Sequence, residues 1–309
     1  MTLNITIAAR WLMAQSSDFR LTRSGVRDPV SETSQKQVVL QYFSWSGLVC
    51  YTGVASWGAH DTASWLEQVL THEPGQRKPR QVVDRLAEEG SAWLKRIPLK
   101  DRRHSFTMIA FKQGVPHVYV ISNFERGGGI PLSTPRNALM VTHIRPRGPR
   151  AVVTGYSPAV SDGQRQGLEQ LLASSAPPQR IREAVARTSR EAAGRAKGTV
   201  GESCVVAHLL PDGSGEAQVF GNLTADFLPV MISNGVNAAS LVPSAMSSAG
   251  MTGPARLVGV TWTGSGNATV MLGAFRELSK QTGDGWPVEA VRPAATRART
   301  VDASNGTAT

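Results

Sequence analysis

Apolar side chains alternate with polar ones from Leu3 through Ile5 and Ile7, then run through Ala9, Trp11 and Met13. A period of two predicts a strand, a turn near Arg10-Trp11 and a second short strand. The polar stretch from Ser16 to Ser34 reads as a long loop. Val38–Phe43 and Leu48–Tyr51 flank Ser44-Trp45-Ser46-Gly47, a hairpin pattern. The small-residue turn Gly53–Gly58 then leads to a helix from about Asp61, with Asp61 or Thr62 as its cap and Trp65, Leu66, Val69 and Leu70 on one face. A second helix is predicted over 80–95. Strands follow at 106–111 and 117–122, then at 138–144 and 151–154. Helices are predicted at about 161–173 and 178–195, strands at 203–210 and 216–220, and a hairpin at 255–262 and 267–275. Residues 229–254 carry no assignable pattern, and the sequence from Pro287 onward has no periodicity and reads as a disordered tail. Runs of strands separated by helix pairs predict an α+β fold, with antiparallel sheets and helices layered outside them.

Composition narrows the classes. The chain has 309 residues, 41% hydrophobic and 18% charged, enough for one sizeable domain or two modest ones. No apolar run approaches the ~20 residues of a membrane span. Arg10 and Asp18 interrupt the first apolar stretch, so the start does not read as a secretory signal. The two cysteines, Cys50 and Cys204, lie in apolar contexts and predict buried thiols in a reducing cytoplasm. Histidines 60, 72, 104, 117, 143 and 208 form no metal-binding spacing, so neither a metal nor another cofactor is expected. The net charge of +10 raises a nucleic-acid partner as an alternative. Against it, the basic clusters at 77–80, 95–96, 100–103 and 145–150 fall in different turns without interleaved aromatics, which reads as a solvated basic surface.

Candidate chemistry sits at the start. If Met1 is removed, Thr2 becomes the first residue and carries a hydroxyl beside its own α-amine. A neutral amine with a pKa of roughly 7.7–8 can take the hydroxyl proton and activate it for acyl transfer. Asp18-Phe19-Arg20 follows sixteen positions after Thr2, and Lys36 opens the strand at Val38. Gly53 lies in Tyr51-Thr52-Gly53-Val54-Ala55, before the first helix, and Gly198-Thr199-Val200-Gly201 leads from a helix into Cys204–Leu209.

This layout resembles the proteasome β-subunit family and its bacterial relatives, N-terminal nucleophile hydrolases, over roughly residues 2–220. The resemblance implies a four-layer αββα sandwich and a cytoplasmic threonine peptidase or amidohydrolase. Thr2 would be the nucleophile. Asp18 and Lys36 would complete the catalytic group, and Gly53, Arg20 and Ser157 would support it, Gly53 at the oxyanion. It also implies a peptide or protein substrate and assembly into a ring or other homo-oligomer. It identifies no ATPase partner. Residues 221–285 form an extension containing the hairpin, inside or outside the same domain, and 286–309 a disordered tail. The sequence departs from the family in two places. Gln37 separates Lys36 from the branched Val38, so either residue is a candidate for the lysine position. The stretch Lys197–Glu202 lacks the aspartate and serine of the family's Asp-x-x-Ser-Gly-Gly group. A catalytically inactive structural or regulatory subunit on the same scaffold is therefore the alternative reading.

Overall fold

The computed structural model describes residues 2–22, 29–31, 34–71, 78–99, 101–127, 129–221, 229–233, 235–237, 255–262 and 268–274. In chain order come β1 (Leu3–Ala8), β2 (Met13–Asp18), the short β3 (Leu21–Thr22) and β4 (Pro29–Ser31), β5 (Gln37–Tyr42) and β6 (Trp45–Gly53). The short β7 (Ser56–Trp57) and β8 (His60–Asp61) lead to α1 (Thr62–Thr71) and α2 (Pro79–Arg96). Next are β9 (His104–Lys112), β10 (Val115–Ser122), the short β11 (Glu125–Arg126) and β12 (Ile130–Pro131), β13 (Met140–Ile144) and β14 (Arg150–Gly155). A 3₁₀ turn at Ser157–Ala159 precedes α3 (Asp162–Ala173) and α4 (Pro178–Arg195). The described chain ends with β15 (Cys204–Leu209), β16 (Gly215–Phe220), β17 (Val230–Ser233), β18 (Val236–Asn237), β19 (Ala255–Trp262) and β20 (Ala268–Ala274).

The fold is α+β. One seven-stranded sheet has the order β14-β1-β2-β15-β16-β19-β20, and a second has β13-β10-β9-β6-β5-β17-β18. Neighbouring strands pair antiparallel except β17 with β5, which run parallel. Three groups of buried side chains hold these elements. Leu3, Ile5, Ile7 and Val153 of the first sheet pack with Leu168 and Leu172 of α3 and Ile181 and Val185 of α4. Leu40, Val49 and Met108 of the second sheet pack with Leu66 and Leu70 of α1 and Val83 and Leu86 of α2. Met13 and Val205 of the first sheet meet Val39, Leu48, Ile109 and Val118 of the second. A strand buried on both faces is long-lived only if its polar members find partners.

That requirement explains where the polar reading of Ser16–Ser34 fails. Residues 16–18 are strand, not loop, and all three are buried. The Ser16 and Ser189 hydroxyls share a hydrogen bond of 3.1 Å, which ties β2 to α4. Opposite them, Gln15 Nε2 donates to Thr6 Oγ1 at 3.3 Å and to the Thr107 carbonyl at 3.0 Å, joining the two sheets. Ser16 and Gln15 are stable here because each is matched across the interior, whereas the Ser17 hydroxyl and the Asn4 amide are buried without a hydrogen-bond partner among the described residues. Cys50 and Cys204 are both buried free thiols. No helix among the described residues is long and apolar enough to cross a membrane. The segment expected to be a disordered tail lies outside the described residues.

Candidate active site

Thr2 immediately precedes β1, which lies between β14 and β2. The β1–β2 register sets Asn4 against Ser17, so the antiparallel turn brings Asp18 back beside the first residues of the chain. Asp18 Oδ1 accepts the Leu3 N–H at 3.1 Å. Its Oδ2 accepts the Gly201 N–H at 3.0 Å and the Arg20 N–H at 3.3 Å. Lys36 supplies the fourth donor, Nζ to Oδ1 at 3.3 Å. An ionised carboxylate has about four lone-pair sites, and here all are used.

Lys36 Nζ is as fully committed. It donates to Thr2 Oγ1 at 2.8 Å, to Asp18 Oδ1 at 3.3 Å and to the Arg20 carbonyl at 2.6 Å. An ammonium has three protons and no lone pair, so three acceptors define the charged form. Burial pulls the Lys36 pKa below its usual value, and the Asp18 charge and hydrogen bond oppose that pull. Thr2, Asp18 and Lys36 are all buried, at 4%, 2% and 1% exposure. In water such contacts would be worth little; buried charges with every partner in place hold a fixed geometry.

The two residues open for the lysine position point in different directions. Gln35 Oε1 accepts the backbone N–H groups of both Lys36 and Gln37, at 2.8 and 3.0 Å, and pins the entry to β5. Consecutive side chains then face opposite ways. Lys36 reaches Thr2, while Gln37 Nε2 donates to the Gln15 carbonyl at 3.0 Å.

The remaining residues singled out from the sequence are placed as follows. Arg20 contributes its carbonyl to Lys36, and its guanidinium donates to the Gly198 carbonyl at 2.9 Å. Gly53 ends β6 opposite His104 with φ +108°, and a Cβ there would lie 2.1 Å from the Arg103 carbonyl oxygen. Its neighbour Thr52, not Gly53 itself, carries the hydrogen bond to Thr2: Thr52 Oγ1 donates to the Thr2 carbonyl at 3.1 Å. The Ser157 hydroxyl donates to the Gly129 carbonyl at 3.1 Å, and no hydrogen bond joins it to Thr2 among the described residues.

Several contributors left no trace in the sequence because they act through backbone atoms. The Tyr156 N–H donates to the Thr2 carbonyl at 3.0 Å. Gly155, at φ +84°, passes so close that a Cβ would lie 2.0 Å from that same carbonyl oxygen. Gly201 is similarly restricted: its Cβ would lie 2.9 Å from Arg20 Cβ. The glycines of Gly198-Thr199-Val200-Gly201 do mark this turn, where the Gly198 carbonyl holds Arg20 and the Gly201 N–H holds Asp18. Chemically, the arrangement presents a hydroxyl to a buried ammonium and clamps the carbonyl of the same residue from two sides. Among the described residues, no group of three or more His, Cys, Asp or Glu is placed to hold a metal.

No family model matches the chain, and no curated protein matches it. Solved structures similar to it include Anbu (ancestral beta-subunit) from Yersinia bercovieri, at 14% identity over 67% of this chain and 81% of that one, with a TM-score of 0.45. An Anbu (Gly-1) mutant from Hyphomicrobium sp. strain MC1 is 12% identical over 68% of this chain and 82% of its own, with a TM-score of 0.46. These findings correct the resemblance to the proteasome β-subunit family. The neighbours are Anbu proteins, proteasome-like but a distinct family. The likeness leaves the chemistry to be argued from this chain's own side chains.

Proposed function

We propose that the protein is an amide-bond hydrolase that uses Thr2 as nucleophile once Met1 has been removed, with peptides or proteins as substrates. The observation that carries this reading is the 2.8 Å hydrogen bond from Lys36 Nζ to Thr2 Oγ1. Because Lys36 donates, the hydroxyl proton of Thr2 is left to a different acceptor. The α-amine of a mature Thr2 takes it, and Oγ1 attacks the substrate carbonyl carbon. The Lys36 charge stabilises the developing alkoxide and, by like-charge repulsion, favours a neutral amine. A backbone N–H at or near Gly53 is assigned to the oxyanion. The tetrahedral adduct expels the amine, which leaves with the proton held by the α-ammonium. Water then hydrolyses the Thr2 ester and regenerates the hydroxyl.

The same reading places the helix pairs on the outer faces of the two sheets, as a four-layer αββα arrangement centred on residues 2–220. It also assigns a cytoplasmic setting and self-association of the chain. The test begins with intact mass and then a peptidyl epoxyketone. The expected result is loss of Met1, labelling on Thr2, no labelling of Thr2→Ala, and labelling at least about 10²-fold slower for Lys36→Met, the size of a lost transition-state donor. Retention of Met1, or labelling that survives Thr2→Ala, overturns the proposal.

A second reading, a catalytically silent scaffold subunit, is favoured by one observation. With Met1 in place Thr2 is only 4% exposed, so a substrate carbonyl reaches it only if removal of Met1 opens the site. Folded protein with an exposed N-terminal threonine and no reaction with the electrophile is the outcome that selects it.

A further inference from the structure

Behind the Thr2 clamp lies a buried acid that the chemistry above does not use. Glu125 opens β11 and is 3% exposed. Its Oε1 accepts the Gly155 N–H at 2.8 Å. The other oxygen, Oε2, is buried without a hydrogen-bond partner among the described residues. Its backbone is fixed, since the Ser122 hydroxyl accepts the Glu125 N–H at 3.0 Å and the Phe124 N–H at 3.2 Å. Leaving a carboxyl oxygen unpaired in the interior is costly. Packing gains nothing from it that an apolar side chain would not supply.

Gly155 is the link to the site. It pairs with Leu3, its own backbone abuts the Thr2 carbonyl, and the next N–H, from Tyr156, donates to that carbonyl. We propose that Glu125 is a positioning residue: its ionised carboxylate, by gripping the Gly155 N–H, sets where the 155–156 backbone holds Thr2, and protonation loosens that hold. The inference rests on Thr2 being the reacting residue. A hydrogen bond to an ionised acceptor is roughly twice as strong as a neutral one, which gives the two protonation states different grips on the same N–H.

The surroundings place the switch in a useful range. Burial raises the Glu125 pKa to about 7, against the opposing pull of the Gly155 N–H and of the Ser105 hydroxyl, which lies near the carboxylate without completing a hydrogen bond. Among the described residues no charged side chain contributes to that shift. His104, next to Ser105 on β9, is buried and neutral, its pKa lowered to about 3. Arg126, the neighbour in β11, is exposed. Glu125 is therefore the side chain facing Gly155 that changes charge near neutrality, and the α-amine of a mature Thr2, at roughly 7.7–8, is the other group that titrates beside the clamp.

Two measurements test the idea. In ¹³C,¹⁵N-labelled protein, the Gly155 and Tyr156 amide shifts and the Thr2 carbonyl shift are followed from pH 5 to 9. The Gly155 and Tyr156 amides and the Thr2 carbonyl are expected to share a step near pH 7; in Glu125→Gln that step is lost, and only the step of the mature Thr2 α-amine, at roughly 7.7–8, remains. In parallel, the rate of epoxyketone labelling of Thr2 is expected to fall about tenfold on the acid side of the same inflection. Glu125→Gln should remove that inflection and leave the one set by the Thr2 α-amine, and Glu125→Asp should restore it at a shifted pH. Flat shifts in the wild type, or a step near pH 7 at the Gly155 and Tyr156 amides that persists in Glu125→Gln, overturn the inference. If Glu125→Gln does not fold, the wild-type titration and Glu125→Asp still decide it. Absence of labelling with the shift titration intact overturns the Thr2 reading instead, and leaves the structural coupling standing.

Discussion

Asp18 makes the plainest prediction at the level of one side chain. Its carboxylate is the counter-charge of the buried Lys36 ammonium and is anchored by three backbone N–H groups. Asp18→Asn keeps the shape and removes the charge, leaving an uncompensated ammonium in the interior. Removing one partner of a buried pair costs about 3–5 kcal/mol, and chemical denaturation should show a loss in that range. A loss below about 1 kcal/mol would mean that Lys36 is neutral or solvated. The residues legible in the sequence were those whose side chains meet: Thr2, Asp18 and Lys36 bring hydroxyl, carboxylate and ammonium together in the order the sequence suggests. Thr52, Gly155 and Tyr156 were not legible. A threonine before a glycine has many uses, and a donated backbone N–H has no residue type. Glu125 was hidden for a related reason, as one acid in a turn whose burial depends on the sheets closing over it.

Elements were read well wherever apolar spacing carried the signal, and less well where burial is polar. β1 is an example of the first, with Leu3, Ile5 and Ile7 on one face. β2 is an example of the second, because Gln15, Ser16 and Asp18 are satisfied only by partners on other elements. The α4 helix shows how a buried polar group fixes an element. Arg182 lies on α4 and is 4% exposed; its guanidinium bonds His208 Nδ1 at 2.7 Å and Glu216 Oε1 at 2.8 Å, on β15 and β16. A guanidinium has no lone pair, so His208 must accept and must be neutral. Burial, then Arg182, lower the His208 pKa from 6.5 to about 3. The folded pKa lies below the unfolded one, so the unfolded chain binds more protons between these values. The stability this group contributes is therefore complete above pH 6.5 and is lost as pH falls towards 3. The expected outcome is a fall of a few kcal/mol at most across that window, from linkage. His208→Gln, which keeps an acceptor and cannot titrate, should flatten part of it. An unchanged pH slope in the variant would show that Arg182 does not depend on a neutral histidine.

At the scale of the molecule, the second sheet ends in a strand that invites a partner. Among the described residues β14 ends the first sheet, where Glu169 and Glu125 already accept the Ala151 and Gly155 N–H groups, and β13 ends the second. Met140, at the start of β13, is 47% exposed, and Ile130 on β12 is 62% exposed. An open edge presents unpaired N–H and C=O groups, and proteins either blunt such edges or use them. Charges of one sign would oppose association, yet the basic residues are dispersed over separate turns, so the +10 charge repels weakly once salt screens it beyond about 8–10 Å. Edge pairing between copies is thus expected to strengthen with salt, the reverse of a nucleic-acid complex, which weakens steeply as salt rises. Light scattering on a sizing column at two salt concentrations separates the two behaviours. Mass above 33.0 kDa at both concentrations, reduced towards the monomer by Met140→Lys, is the predicted result. A monomer at every salt and protein concentration would end the self-association proposal, and would leave the Thr2 site as a property of a single chain.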